Sequence, residues 1–181
     1  LSGSFPSSLY DLIYITHINF GQNSLSGSLS SDIQIKWPNL TQIILSDNSF
    51  SGSLSDFNTS TFLQKLEMRN MALSGILPEF ESNHHLTELD LQNNSFSGAI
   101  PDTYGFFTNM EYMYLNNNGL SGVPPFKENY NLIELNLAYN SITTIDETIA
   151  MSELMEKFDI SYNSINHDIP STLGIIETLT E

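Results

Sequence analysis

The feature that most constrains this chain is a pattern of apolar residues and asparagine that recurs about every 23 residues. In its clearest copy, from Leu86 to Pro101, the sequence reads LTELDLQNNSFSGAIP. The position of the second Asn of QNN, called the ladder position here, recurs at steps of 25, 23, 23, 24, 22 and 23 residues. Its occupants are Asn23, Asn48, Met71, Asn94, Asn118, Asn140 and Asn163. A unit of this length cannot bury its apolar side alone, so we expect stacked coils around one continuous core.

Each repeat carries apolar residues eight, five and three positions before the ladder position, and another two positions after it. The repeats, numbered one to seven, begin at Ile15, Leu40, Leu63, Leu86, Met110, Leu132 and Met155. Two of these apolar residues alternate with polar ones, which predicts a short strand with one buried face. The ladder Asn carries a donor and an acceptor and can satisfy backbone groups between coils. The chain is interpreted as a single array over residues 1–181, with about seven full repeats and a partial repeat at each end.

The consensus LxxLxLxxNxLSGxIPxxLGxLxxL resembles the plant-type extracellular leucine-rich repeats, most closely over Leu86–Met110 and Ile160–Leu179. The resemblance implies a leucine-rich-repeat solenoid, a right-handed β/α superhelix that is mostly β, with a parallel concave sheet. It also implies extra short strands from the LSGxIP part, short 3₁₀ turns on the convex side, and an extracellular or cell-surface location. Repeats one, two and six lack the proline, and residues 146–154 of repeat six are expected to form a helical turn or two.

Composition excludes several classes of partner. The chain has 5 Lys+Arg against 21 Asp+Glu, a net charge of −16, which makes nucleic acid and anionic membrane surfaces poor partners. No apolar run reaches the roughly 18 residues of a membrane span, so no membrane insertion is expected within this sequence.

There is no Cys and no HExxH or phosphate-binding glycine motif, and an open sheet offers no pocket to shift the pKa of carboxylates. We therefore predict no catalytic residue, metal site or cofactor, and we expect further repeats to flank the array.

Strand alternation identifies the side chains that should face outward from the concave sheet. Carboxylates and tyrosines gather there on repeats three to seven, a combination typical of interface anchors and of sugar-binding or cation-binding surfaces. The candidate ligand-binding residues are Lys65, Arg69, Glu88, Asp90, Glu111, Tyr112, Tyr114, Glu134, Tyr139 and Tyr162. The alternative is that these are solvated strand residues with incidental tyrosines.

The sequence favours an extracellular recognition or adhesion module that binds a protein, peptide or carbohydrate. One alternative is a structural surface or cell-wall component without a discrete ligand. Another is ice binding by the serines that flank each Ser–Gly pair, although turn chemistry accounts for those serines more simply. Three Asn-x-Ser/Thr sequons, about as many as chance would give, make Asn39, Asn58 and Asn93 candidates for glycosylation. Asn58, in the outer SDFNTST loop, is the favoured one.

Overall fold

The computed structural model describes residues 1–29, 36–81, 83–168 and 170–172, and within them the chain forms thirteen short strands. The strands are β1 (Ser2–Ser4), β2 (His17–Asn19), β3 (Ser24–Gly27), β4 (Gln42–Ile44), β5 (Ser49–Gly52), β6 (Lys65–Glu67), β7 (Ala72–Gly75), β8 (Glu88–Asp90), β9 (Ser95–Ala99), β10 (Tyr112–Tyr114), β11 (Gly119–Gly122), β12 (Glu134–Asn136) and β13 (Lys157–Asp159). Three 3₁₀ helices span Ser7–Asp11, Asp102–Phe106 and Glu147–Met151. None of the helices in these ranges is long and apolar enough to cross a bilayer.

The strands form two parallel sheets that run along the stack of coils. The LxxLxL strands make the concave sheet, in the order β2-β4-β6-β8-β10-β12-β13, and the strands of the Ser–Gly segments make a six-stranded sheet, β1-β3-β5-β7-β9-β11. In the concave sheet, equivalent residues of successive repeats pair, as Leu66, Leu89 and Met113 do. The leucine-rich-repeat solenoid expected from the sequence is therefore confirmed, including the concave sheet and the extra strands.

The core follows from the alternation of the strands. The central residue of β6, β8, β10 and β12 is completely buried, and so is the apolar residue that directly follows the strand. Burying one such side chain is worth about 1.5–3 kcal/mol, and stacking repeats this contribution coil after coil. On the convex side, Phe57 stacks on Phe80 at 5.3 Å between ring centroids, and Phe80 in turn contacts Tyr104 and Phe107. These rings fill the space behind the strands.

The ladder asparagines connect adjacent coils as the sequence predicts. The Asn48 amide donates to the carbonyl of Leu45 in its own coil and to that of Phe20 in the preceding coil, both at 2.9 Å. Its side-chain oxygen accepts from the backbone N–H of Leu25, also at 2.9 Å. Asn94, Asn118, Asn140 and Asn163 repeat this pattern. One short side chain therefore satisfies three backbone groups in each coil, which Met71 in repeat three cannot do.

Repeat six departs from repeats one to five where its Ser–Gly segment is missing. The structure places no strand over residues 141–146, although the Ser141 N–H still donates to the carbonyl of Leu120 at 2.8 Å. The six-stranded sheet consequently ends at β11. Asp146 then caps the 3₁₀ helix Glu147–Met151 by accepting from the Thr148 N–H at 2.8 Å, which confirms the helical turn expected in this repeat.

Candidate functional site

Outward side chains of the concave sheet form rows across the repeats because the strands pair in register. One row contains His17, Gln42, Lys65, Glu88, Tyr112, Glu134 and Lys157. The neighbouring row contains Asn19, Ile44, Glu67, Asp90, Tyr114, Asn136 and Asp159. Six of the ten candidates lie on these strands, and Glu111 directly precedes β10. Arg69 follows β6 by two residues, and Tyr139 and Tyr162 lie in the turns beyond β12 and β13.

Each cation of this face contacts a carboxylate of the same sheet. The ammonium of Lys65 lies 2.7 Å from Glu67 and 2.8 Å from Glu88, so it bridges two strands. Burial alone would lower the pKa of Lys65, but the hydrogen bonds to both glutamates raise it. Burial raises the pKa of Glu88, and Lys65 opposes that effect. At the other end of the face, Lys157 lies 3.4 Å from Glu134.

Asp90 is buried, although its position on β8 faces outward. Arg69 from the preceding repeat donates to one carboxylate oxygen at 3.1 Å, and the side chain and backbone N–H of Gln92 each donate at 3.2 Å. Together these groups leave Asp90 only 2% exposed. Burial raises the pKa of Asp90, and the hydrogen bonds from Arg69 and Gln92 oppose the rise. Asp90 therefore holds the side chains of Arg69 and Gln92 in place on the concave face, but its own carboxylate offers little accessible area to a ligand.

Two tyrosines occupy the middle of the concave sheet. Tyr112 lies between Glu88 and Glu134 of the neighbouring strands, and Tyr114 follows it on the same face of β10. Both side chains are half-buried. The Tyr114 hydroxyl donates to Glu134 at 3.1 Å. Burial, reinforced by the charge of Glu134, raises the pKa of Tyr114 well above its ordinary value.

The groups left over for a ligand on this face are mostly acceptors. Glu111 is exposed, and none of the ion pairs in the described ranges involves it. Asn116, two residues beyond Tyr114, is 8% exposed and donates to Gln92 at 3.3 Å. Its side-chain oxygen has no hydrogen-bond partner among the residues that the structure describes. A ligand that brings a positive charge would meet the exposed carboxylate of Glu111, whereas the unpartnered oxygen of Asn116 is buried and out of its reach.

Gln92 and Asn116 are not among the ten candidates, although strand alternation already places both on the concave face. Their positions follow the end of the strand by two residues, so the period-two rule that identified the other outward residues also reaches them. Arg69 occupies the same position in repeat three and was identified. The chain of contacts Arg69–Asp90–Gln92–Asn116 shows that this position continues the face beyond the strands.

Tyr139 and Tyr162 lie apart from the two rows and pack on each other. Their ring centroids are 4.1 Å apart with an interplanar angle of 9°. They remain 48% and 71% exposed. Both have φ near +54°, in the left-handed region. A hydrogen bond with Tyr162 raises the pKa of Tyr139.

The three sequons occupy different environments. Asn39 is exposed in a turn directly before the first apolar residue of repeat two. Asn58 is partly buried, and its side-chain oxygen accepts from the Glu81 N–H at 3.0 Å. Asn93 is exposed, but its amide nitrogen, where a glycan would attach, donates to Asn70 at 2.7 Å. Glycosylation at Asn93 would therefore have to preserve or replace this contact, whereas Asn39 and Asn58 keep their amide nitrogens free of such a bond in the described part of the chain.

Comparison with known proteins supports the assignment of the repeats. The family model for the Leucine Rich Repeat matches residues 85–107, which include the copy from which the period was read. No curated protein sequence matches the chain. Among solved structures, the crystal structure of PEPR1–AtPEP1 is 25% identical with a TM-score of 0.93, and the match covers 98% of this chain and 26% of that one. The Arabidopsis receptor kinase HAESA, in complex with the peptide hormone IDA and the co-receptor SERK1, is 26% identical with a TM-score of 0.85, covering 98% and 35%.

These matches confirm the resemblance to plant extracellular leucine-rich repeats. The chain spans only about a quarter to a third of the length of these two receptors. A plant ice-binding protein also shares the fold, with a TM-score of 0.77 over 94% of this chain and 56% of that one. At 23% identity this third similarity shows the fold alone.

Proposed function

We infer that this leucine-rich-repeat array, which resembles plant receptor ectodomains over nearly its whole length, is a non-catalytic extracellular module that binds a peptide or a peptide segment of a protein. One of the solved structures to which it is similar, that of HAESA, is a complex with the peptide hormone IDA. The concave sheet is the proposed binding face, centred on Tyr112 and Tyr114 of repeat five. The ligand proposed for it carries at least one basic side chain.

The observation that carries this proposal is the way charge is distributed over the face. Lys65, Arg69 and Lys157 already contact carboxylates of the same sheet, so an acidic ligand would have to displace internal partners. Glu111 remains as an exposed carboxylate outside these pairs in the described part of the chain. Separating a cation of this face from its carboxylate costs free energy, because the ion pair now offsets the desolvation of both groups. A cation of the ligand would instead add a favourable contact.

The tyrosines explain why a basic side chain suits the centre of the face. A guanidinium or ammonium placed over an aromatic ring gains about 0.5–2 kcal/mol, depending on how dry the contact is. Tyr112 lies between the carboxylates of Glu88 and Glu134, which would flank a cation on its ring. Partly buried aromatics with polar surroundings are also the side chains that most often dominate the energy of an interface.

The test is selection of random displayed peptides on the immobilised protein, followed by titration of the selected peptides. We expect enrichment of Arg or Lys, and a loss of about tenfold in affinity when the selected Arg is replaced by neutral citrulline. Tyr112→Ala, Tyr114→Ala and Glu134→Ala should each weaken binding about tenfold. Gln42→Ala, on the same face but three repeats away, is the matched control and should bind as the wild type does. Selection of acidic peptides, or unchanged affinity in the three central variants, would reject the proposal.

Ice binding is a second candidate because of one specific observation. The serines that flank the buried apolar residue of β3 and β5 are exposed on the outer face of the six-stranded sheet. Ala72 and Gly119 interrupt this array in repeats three and five, which weakens it as a match to a lattice. Thermal hysteresis of the protein, and its loss in Ser26→Tyr and Ser51→Tyr, would support this candidate. Growth of ice at the equilibrium freezing point would eliminate it.

A further inference from the structure

One residue in each repeat, directly before the ladder position, adopts the left-handed backbone conformation. This turn row consists of Gln22, Asp47, Asn70, Asn93, Asn117, Tyr139 and Tyr162, with φ between 53° and 60°. Asn and Asp tolerate this conformation because their short side chains bond locally, whereas a bulky residue is strained in it. The two tyrosines therefore occupy positions whose backbone conformation favours asparagine. The backbone conformation does not explain why tyrosine is found there.

The side chains of the turn row pair from repeat to repeat, but the pairing is interrupted. Asn70 donates to Asp47 at 2.6 Å, and Asn93 donates to Asn70 at 2.7 Å. Tyr139 and Tyr162 stack farther along the row. Between these two groups lies Asn117, whose exposed side-chain amide makes no hydrogen bond with any other described residue. Asn117 thus offers an unbonded side-chain amide one repeat before the aromatic ring of Tyr139.

A groove of about 490 Å³ opens at this interruption. Its wall includes Tyr139 and Asn117, together with the hydroxyls of Ser95 and Ser97. Gly119 also lines it, in place of the serine that repeats one, two and four carry at the equivalent position, and so leaves the groove open. Tyr162 covers one face of the Tyr139 ring at 4.1 Å. Because the row runs along the stack of coils, the other face of Tyr139 is turned toward Asn117 and the groove.

We propose that this groove binds a saccharide, with a pyranose ring resting on the free face of Tyr139 and its hydroxyls bonded to the amide of Asn117. The residues that line the groove are uncharged, so an ionic ligand would find no counter-charge there. A primary amide supplies both a donor and an acceptor, which is what a sugar hydroxyl requires. An aromatic ring offers a flat apolar surface to the C–H face of the sugar. A pyranose with all its substituents equatorial presents such a face on both sides, so a β-1,4-linked glucan is the fitting class.

This site is separate from the proposed peptide face. Tyr139 lies beyond the C-terminal end of β12, and the groove reaches the six-stranded sheet through Ser95, Ser97 and Gly119. Peptide binding and saccharide binding can therefore be tested on the same protein with different variants. Loss of one activity leaves the other to be judged by itself.

The experiment is calorimetric titration of the full chain with cellohexaose. We expect saturable binding that Tyr139→Asn weakens at least about tenfold, because the ring that carries the contact is gone. Tyr139→Phe keeps the ring and should bind within about threefold of the wild type, whereas Asn117→Ala should lose about fivefold. Tyr130→Ala, which removes an exposed tyrosine elsewhere on the surface, is the matched control.

Tyr139→Asn also separates a binding role from a structural one. Asn is the residue of repeats four and five at this position and suits the left-handed backbone, so the variant should unfold at the same temperature as the wild type or higher. Loss of cellohexaose binding with stability retained supports the site. Absence of saturable binding by the wild type overturns the proposal, and so does unchanged binding in Tyr139→Asn or Asn117→Ala.

Discussion

The guanidinium of Arg69 lies 3.1 Å from the carboxylate of Asp90, and the two residues belong to successive coils of the solenoid. Asp90 is 2% exposed, whereas about a third of the Arg69 side chain is accessible. The pair therefore joins a buried charge to a partner at the surface. It fixes the third and fourth repeats to each other on the face where we propose that a ligand binds.

Removing Arg69 should leave a buried carboxylate without its main partner. We expect Arg69→Ala to lower the free energy of unfolding by about 2 kcal/mol at neutral pH, measured by urea denaturation. The pKa of Asp90 is already raised by burial and should rise further in the variant. Protonation then removes the buried charge. The loss of unfolding free energy should therefore shrink as the pH falls toward the pKa of an ordinary aspartate. Asp90→Asn in the Arg69→Ala background should recover part of the stability, and a loss independent of pH would contradict this account.

Met71 interrupts the asparagine ladder, and restoring it should stabilise the fold. An Asn at this position would accept from the Phe50 N–H and donate to the carbonyls of Leu45 and Met68, as Asn94 does one repeat later. We expect Met71→Asn to raise the free energy of unfolding by about 1 kcal/mol. Met71→Leu, which keeps the position apolar, is the control and should change stability by less than about 0.5 kcal/mol. Destabilisation by Met71→Asn would show that packing of the thioether outweighs the hydrogen bonds.

Gly105 is required by close approach between coils on the convex side. A Cβ added there would lie 2.0 Å from the carbonyl oxygen of Pro125, and the Gly105 carbonyl accepts from the N–H groups of Lys127 and Glu128 at 2.9 Å. Gly105→Ala must therefore push two backbones apart, and we expect a loss of about 2–3 kcal/mol in unfolding free energy. Gly21→Ala is the matched control, because its Cβ would meet neighbours at ordinary distances of 3.4–3.5 Å. Similar losses in the two variants would refute the steric explanation.

Tyr114, at the centre of the concave face, should make the stability of the protein depend on pH in the alkaline range. The pKa of Tyr114 is raised above its ordinary value of 10.0, first by burial and then by Glu134. A raised folded-state pKa gives stability that is complete below the pKa of the unfolded phenol and is lost as the pH rises above it. Between about pH 9 and pH 11, the unfolding midpoint of the wild type should therefore fall more steeply than that of Tyr114→Phe. Parallel curves for the two proteins would contradict the shift, because the two proteins differ only in the hydroxyl of residue 114.

Most of the fold could be predicted from the sequence because each repeat carries the same pattern of apolar and polar residues. The period placed Leu66, Leu89 and Met113 in the core, and the alternation placed Glu88 and Tyr112 outward. The ladder asparagines could be assigned their role from their donor and acceptor alone. These inferences need only the conformation of one coil, which neighbouring residues along the chain determine.

Contacts between coils were decided by the tertiary structure. Asp90 was expected on an accessible face, and the structure covers it with Arg69 and Gln92, whose long side chains reach across from neighbouring positions. Tyr139 and Tyr162, assigned from sequence to the concave face, stack in the turn row instead. Arg69 and Asp90, like Tyr139 and Tyr162, are more than 20 residues apart along the chain, and the choice of such partners depends on side-chain length and rotamer. The sequence by itself determined which way each residue of a coil points, whereas only stacking the coils decided which of those residues remained available to a ligand.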